Sequence, residues 1–223
     1  MKRTPLSQRR LPDYTFGEEL MNSLSHGAGA AMGIAALVLC VIQAAMHRNI
    51  YGIVASAIYG TSLILVFVIS CVYHALKPNM GKKVMQVIDH CTIYFLIAGT
   101  YTVILLSAIR PAYPVLGWTL FGLEWGLAIF AATLTAIDLK KYSIFSMVCY
   151  IGMGWAIIPF ASQALKVLTM PGFQLLLWGG IAYTVGSILY GIGSRKKWMH
   201  SIFHLFVNLG AGLHFASVLF YAI

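Results

Sequence analysis

Long runs of apolar residues, separated by short polar or proline-containing connections, extend over most of the chain from residue 26 onward. A bilayer core about 30 Å thick is crossed by roughly 20 residues of α-helix. Seven stretches have this length, at 26–46, 51–76, 86–108, 114–137, 143–165, 172–193 and 200–222. Helices are the expected form because unpaired backbone groups are too costly in hydrocarbon. The pattern predicts an all-α integral membrane protein with one seven-helix transmembrane bundle at 26–223, preceded by a polar, basic arm at 1–25.

The composition excludes a water-soluble fold. Hydrophobic residues make up 60% of the 223 residues and charged residues only 9%, whereas a soluble domain carries about 25% charged residues. The four cysteines lie inside apolar runs, which favours buried apolar roles over the disulfide framework of a secreted protein. The first 25 residues contain no apolar stretch, so we expect no cleavable signal peptide. A first span that directs its own insertion suits a multi-pass protein of the bacterial inner membrane.

The distribution of lysine and arginine predicts the orientation, since these residues concentrate on the cytoplasmic side of a membrane. Alternate connections divide them twelve to three. The larger set is Lys2, Arg3, Arg9, Arg10, Lys77, Lys82, Lys83, Lys140, Lys141, Arg195, Lys196 and Lys197. The amino terminus is therefore predicted to be cytoplasmic and the carboxyl terminus external. The net charge of +9 requires no nucleic-acid partner, because a basic inner rim is the ordinary result of insertion beside anionic lipids. Membrane lipids are the expected partners.

Ionisable residues inside the predicted spans are the candidates for function, because such residues are rare in membranes and usually functional. They are His26, His74, Asp89, His90, Glu124, His200, His204 and His214. With the predicted orientation, five of the eight come to the cytoplasmic end of four separate helices: His26, His74, Asp89, His200 and His204. This shared depth is not typical of unrelated core histidines.

A metal site accounts for this layer. His200 and His204 are four residues apart, so they lie on one helix face and can share an ion. His74 offers a third imidazole at the same level, and three imidazoles with an open fourth position are typical of catalytic zinc. Asp89 is then a base or a group that orients a ligand. Ser70, one turn before His74, is placed to donate a hydrogen bond to water or to a substrate carbonyl.

Structural roles remain open for several of these residues. Asp89 can instead form an ion pair with Lys82, Lys83 or a histidine, and His26 can hydrogen-bond Asn22 near the start of the first helix. Glu124 is interpreted as a neutral core carboxyl group, His90 as facing away from the layer, and Asn208 as joining helices.

The motifs together resemble a known family. The pattern Glu19-x2-Asn22-x3-His26, then Ser70-x3-His74, then Asp89, then His200-x3-His204 is similar to the haemolysin III branch of the progestin and adipoQ receptor superfamily, from about Glu18 onward. The resemblance implies a seven-helix bundle with the amino terminus inside. It also implies zinc held by His74, His200 and His204, with Asp89 near the metal-bound water and Ser70 as the motif serine.

Three functions follow as hypotheses. The first is a zinc-dependent membrane hydrolase of a lipid amide or ester, with ceramidase-like chemistry and Asp89 as general base. The second is a lipid-sensing or membrane-homeostasis protein whose zinc is structural. The third, a haemolysin or channel, follows from the family name alone, and the scarcity of hydrophilic residues along any one span argues against a wide aqueous pore.

Overall fold

The computed structural model describes residues 4–193 and 196–223, and these are helical almost throughout, without strands. Seven long helices are present in this part of the chain: α1 (Phe16–Met46), α2 (Ile50–Ala75), α3 (Met80–Val103), α4 (Pro114–Ile137), α5 (Ser143–Gly154), α6 (Ala161–Gly193) and α7 (Met199–Ser217). π-helical turns at Ile104–Ile109 and Val218–Ala222 extend α3 and α7. Lys2, Arg3 and Arg195, which entered the charge count, lie outside the described residues.

Helix α1 begins well before the first predicted span, at Phe16 rather than at residue 26. The cause is a capping box: the Thr15 side chain accepts from the backbone N–H of Glu18, and the Glu18 carboxylate accepts from the backbone N–H of Thr15. This arrangement satisfies two backbone donors at a helix start. It therefore adds about three turns of helix to the amino-terminal end, including Glu19 and Asn22.

Six helical segments of the described chain are long and apolar enough to span a membrane, where the sequence predicted seven. The difference comes from one segment, Ser143–Gly193, which contains both predicted spans 143–165 and 172–193 and is 51 residues long. Within it, Thr169 has a φ of 61° and a ψ of 171°, which are not helical, and Pro171 follows. The membrane-protein class is confirmed.

The two ends of the bundle are tied by different polar contacts. At the end that we call the arm end, the backbone N–H of Thr4 donates to Asp138 Oδ2 (2.9 Å), and the backbone N–H of Trp198 donates to Glu18 Oε1 (2.6 Å). At the opposite, far end, Ser217 Oγ donates to the carbonyl of Gly172 (2.8 Å). The amino-terminal arm thus packs on the same end as the starts of α1, α3 and α7.

Small residues bring the first two helices close together. A Cβ atom on Gly60 would lie 2.5 Å from the Cα of Leu37, and one on Gly33 would lie 3.0 Å from the backbone nitrogen of Ile64. Such small-residue contacts are typical of helix pairs in membranes. Large apolar side chains such as Val54 and Leu123 are exposed on the outside, as expected for a surface that faces lipid.

Candidate metal centre

Three histidines from two helices converge at the arm end of the bundle. His74 comes from the last turn of α2, and His200 and His204 come from the first turns of α7. The Nε2 atoms of His74 and His200 are 3.4 Å apart, and those of His200 and His204 are 3.1 Å apart. All three side chains are buried. The sequence analysis predicted this meeting, and the three histidines form a group that could hold a metal ion.

The spacing of these nitrogens fits zinc. Imidazole nitrogens bound to one tetrahedral zinc at about 2.0–2.1 Å lie about 3.3 Å from one another, close to the two Nε2 separations given above. An all-imidazole donor set favours zinc and related transition metals over magnesium or calcium, which prefer oxygen. The residues therefore fit the metal that the motif resemblance implies.

A carboxylate contacts His74 at Nδ1, and a buried lysine binds that carboxylate. Glu19 Oε2 lies 2.6 Å from His74 Nδ1, and Glu19 Oε1 accepts a hydrogen bond of 2.5 Å from Lys82 Nζ. Lys82 also donates to the carbonyl of Leu76 (2.9 Å) and is only 2% exposed. A carboxylate at Nδ1 keeps the proton there and leaves the Nε2 lone pair directed at the site. Glu19 therefore sets the tautomer of His74.

Aromatic rings cover the other histidines. Tyr14 lies in the arm, two residues before α1 begins. Its ring stacks on His200 with ring centroids 4.8 Å apart and an interplanar angle of 19°. Burial raises the pKa of the Tyr14 hydroxyl well above its usual value. His26 stacks on His204, with ring centroids 3.7 Å apart.

The ring nitrogens of His26 are buried and have no hydrogen-bond partner in the described chain. The hydrogen bond considered between His26 and Asn22 is therefore not formed. Asn22 Nδ2 instead lies 3.4 Å from His74 Nδ1.

Asp89 and Ser70 lie beside the histidines on the wall of an internal cavity. The Ser70 side chain lies close to the Asp89 carboxylate, and Asp89 Oδ2 is 3.8 Å from His90 Nδ1. Of the ion pairs considered for Asp89, those with Lys82 and Lys83 are absent from the described contacts, since Lys82 pairs with Glu19. Asp89 therefore keeps a face toward the cavity.

The cavity has a volume of about 160 Å³ and runs from the histidines into the bundle. Along α3 its wall extends from Asp89 to Ile104, which corresponds to about 22 Å of helix. Beyond the histidines the lining is mainly apolar, with Phe173 and Leu176 of α6 near the far end. The lining suits an apolar group rather than a column of water.

The other ionisable residues named from the sequence lie outside the three-histidine group. The His214 ring, deeper in α7, donates from Nε2 to the carbonyl of Leu176 (3.0 Å). Glu124 of α4 is 2% exposed. His90 faces Tyr190, with 3.2 Å between Nε2 and the hydroxyl oxygen. Asn208 joins helices, as predicted, because its Nδ2 donates to the carbonyl of Ser25 (2.9 Å).

Sequence reasoning missed Glu19, Lys82 and Tyr14 as parts of the site. The signal for Glu19 was present, because Glu19 precedes His26 by seven residues and Asn22 by three, which puts all three on one face of a helix. The sequence analysis quoted these three residues as a motif, but the predicted helix start at residue 26 left Glu19 outside the first helix and gave it no position beside the histidines. Lys82 and Tyr14 had no such signal, since a lysine near a helix start and a tyrosine in a polar arm are ordinary features of membrane proteins.

Comparison with known proteins agrees with the motif resemblance. The family described as "Haemolysin-III related" matches residues 14–215. Hemolysin-3 of Bacillus cereus is 39% identical over 206 residues, which is 92% of this chain and 92% of that protein. The Hemolysin-3 homolog of Bacillus subtilis (strain 168) is 37% identical over 210 residues, 94% of this chain and 97% of that protein. The monocyte to macrophage differentiation factor of Homo sapiens is 26% identical over 227 residues, 97% of this chain and 88% of that protein.

Proposed function

The chain belongs to the haemolysin III family of membrane proteins, and we propose that it is a zinc-dependent hydrolase of a lipid amide or ester in a bacterial inner membrane. The observation that carries the proposal is the convergence of His74, His200 and His204, since the Nε2 separations of His74 from His200 and of His200 from His204 match those of a tetrahedral zinc site. The same histidines border a long apolar cavity. A metal site and an acyl-chain site therefore meet at one point.

The three histidines would hold the metal, and Glu19 would keep His74 in the required tautomer. Zinc bound in such a site would lower the pKa of bound water and polarise a carbonyl group. Asp89, on the cavity wall, is the residue that we assign to accept the proton of the attacking water and return it to the leaving nitrogen or oxygen. Ser70, close to the Asp89 carboxylate, would orient it by a hydrogen bond. His26 and Tyr14 cover the histidine rings and exclude bulk water.

The substrate class follows from the cavity. Its apolar wall along α3 and α6 suits an acyl chain, and a carbonyl at the head of that chain would lie near Asp89 and the histidines. A lipid in the surrounding bilayer can enter between helices, so no aqueous cleft is needed. Lipids are therefore the proposed partners.

For the membrane topology, we propose seven crossings with the amino terminus in the cytoplasm. The segment Ser143–Gly193 would be about 77 Å long as one straight helix, more than twice the thickness of a bilayer core. It leaves the arm end near Asp138, contacts the far end through Gly172, and returns to the arm end, where Gly193 approaches the backbone of His200. Two crossings by this segment support an external carboxyl terminus.

Zinc analysis tests the proposal. The purified full chain is expected to contain one zinc per molecule, and His74→Ala, His200→Ala and His204→Ala are each expected to contain far less. His47→Ala is the matched control, since His47 is exposed at the end of α1 and should leave the zinc content unchanged. Full zinc retention in His204→Ala would contradict the proposed site.

Lipid mass spectrometry then separates catalysis from a structural ion. The zinc-loaded protein, incubated with vesicles that contain ceramide or diacylglycerol, is expected to release free fatty acid. Chelation and Asp89→Asn should each abolish the release. A protein that loses thermal stability on chelation but releases no fatty acid in either state would be the lipid-sensing alternative, in which zinc only joins α2 to α7.

A further inference from the structure

A second pocket lies at the arm end, outside the metal centre. We call it the vestibule and define it by Arg9, Arg10, Gln86, Lys140, Ser143 and Tyr190, which line a space of about 450 Å³. The arm, α3, α5 and α6 each contribute to its wall. No carboxylate lies among its lining residues in the described chain. The pocket therefore gathers three cations without a neutralising acid.

Arg9 is the most informative of these cations. It is only 8% exposed, and it donates from Nη2 to the carbonyl of Ile137 (2.8 Å) and from Nε to that of Thr4 (3.3 Å). No salt bridge joins it to a carboxylate in the described chain, and its Nη1 is buried without a partner there. The nearby Asp138 attracts the Arg9 charge, but its oxygens are already engaged by the backbone N–H groups of Thr4 and Lys141 and form no salt bridge with Arg9 in the described chain. A buried guanidinium that lacks a directly bonded carboxylate is stabilised when a further anion comes close to it.

The vestibule adjoins the cavity of the candidate metal centre. His90, Met147, Tyr150 and Tyr190 line both spaces. Two hydrogen bonds join three of these residues at the boundary: Tyr150 donates to the carbonyl of His90 (2.7 Å), and the Tyr190 hydroxyl lies 3.2 Å from His90 Nε2. A molecule with a charged group in the vestibule and an apolar chain in the cavity would cross this boundary beside these side chains.

We propose that the vestibule binds the phosphate headgroup of a single-chain lipid whose acyl chain lies in the cavity. Guanidinium groups match phosphate oxygens in geometry and charge, and a lysine beside them adds a point charge. The inference goes beyond the proposed hydrolysis, since it concerns binding alone and holds even if the three histidines carry a purely structural ion.

Binding of a radiolabelled probe tests the proposal. The probe is lysophosphatidic acid, and the purified full chain is held in phosphatidylcholine nanodiscs; lysophosphatidylcholine is the comparison, because it has the same chain but a zwitterionic head. We expect lysophosphatidic acid to bind at least tenfold more tightly. Arg10→Gln and Lys140→Gln should each weaken its binding about fivefold, the effect of one cation near an anionic lipid. Raising the salt to about 0.5 M should reduce the preference.

Lys77→Gln is the matched control, since Lys77 is exposed after α2 at the arm end and does not line the vestibule. It should change the affinity less than twofold. An equal loss of affinity in Lys77→Gln would assign the effect to the general basic rim and overturn the proposal, as would equal binding of the two lipids. Displacement of the probe by millimolar inorganic phosphate alone would identify free phosphate as the ligand and overturn the lipid assignment.

The same preparations keep this test separate from that of the proposed function. Zinc content should be unchanged in Arg10→Gln and Lys140→Gln, and chelation should leave the preference for lysophosphatidic acid in place. If fatty-acid release fails but the preference and its loss in these variants hold, the vestibule stands and the hydrolase proposal falls.

Discussion

Glu19→Gln tests how Glu19, which contacts His74, contributes to metal binding by the three histidines. The substitution keeps the size of the side chain but removes the charge that lies between His74 Nδ1 (2.6 Å) and Lys82 Nζ (2.5 Å). Two effects should follow. The single amide oxygen of glutamine can accept from His74 Nδ1 or from Lys82 Nζ but not from both, so the tautomer of His74 is no longer fixed. The Lys82 ammonium loses its counterion and keeps the carbonyl of Leu76 and the face of the Tyr73 ring.

The magnitudes follow from the burial of the two groups. Loss of a carboxylate behind a metal-binding histidine typically weakens metal affinity 10- to 100-fold, or about 1.4–2.7 kcal/mol. Breaking a buried ion pair costs about 3–5 kcal/mol. Lys82 is 2% exposed, whereas the Glu19 side chain is 19% exposed and reached by water. We therefore expect a loss of stability near the lower limit, about 3 kcal/mol.

A double variant separates the two effects. Glu19→Gln combined with Lys82→Met removes the stranded cation, so it should recover most of the stability but none of the zinc affinity. Glu18→Gln is the control, because Glu18 binds the backbone of Thr15 and Trp198 and contacts no histidine. Zinc affinity is measured by competition with a chromophoric chelator, and stability by unfolding of the metal-free protein. Unchanged zinc affinity in a destabilised Glu19→Gln protein would refute the role assigned to Glu19 in orienting His74.

Three further predictions concern neighbouring groups. Asp89→Asn should lower fatty-acid release at least 100-fold with zinc content unchanged; a parallel loss of zinc would make Asp89 part of the metal site instead. Tyr14→Leu should speed zinc loss to a chelator about 2- to 10-fold, the value of one aromatic stack, whereas Tyr14→Phe should not. The Thr4 N–H and other contacts lower the pKa of Asp138. This tie is therefore complete at neutral pH and is lost only as the pH falls below about 4. The protection of the arm amides against hydrogen exchange should fall over that pH range. Asp138→Asn should remove this pH dependence.

The three-histidine group was largely predictable because its members follow simple geometry. His200 and His204 share a helix face by spacing alone, and the predicted orientation put His74 at the same depth before any contact was known. Depth is a strong constraint in membranes, since each span must cross the same thickness of hydrocarbon. Once several helices carry polar residues at one level, only their rotation about their axes remains to be fixed.

The remaining features depended on information that hydropathy does not carry. The start of α1 is set by the capping box of Thr15 and Glu18, a local hydrogen-bond pattern in a segment too polar to count as a span. The residues around 170 were predicted to separate two spans, and Pro171 is there. The structure adds that Thr169, with positive φ, interrupts the helix at this point. Lys82 was considered as a cytoplasmic charge and as a partner of Asp89 but not of Glu19, because pairing with Glu19 requires knowing that α1 begins ten residues early.

Two of the buried polar groups without partners border the two spaces of the arm end. The His26 ring lies on the wall of the cavity, and the Arg9 guanidinium lies on the wall of the vestibule. A buried donor or acceptor left unpaired costs about 1–3 kcal/mol, and more when it is charged. Glu19, His74 and Lys82, by contrast, satisfy one another in the same layer. Unpaired buried groups also occur away from both spaces, for example at Ser56, Tyr59 and Glu124, so an unpaired atom alone does not mark a ligand site. What distinguishes Arg9 and His26 is the volume beside them, about 450 and 160 Å³ respectively, in which a ligand group has room to bind.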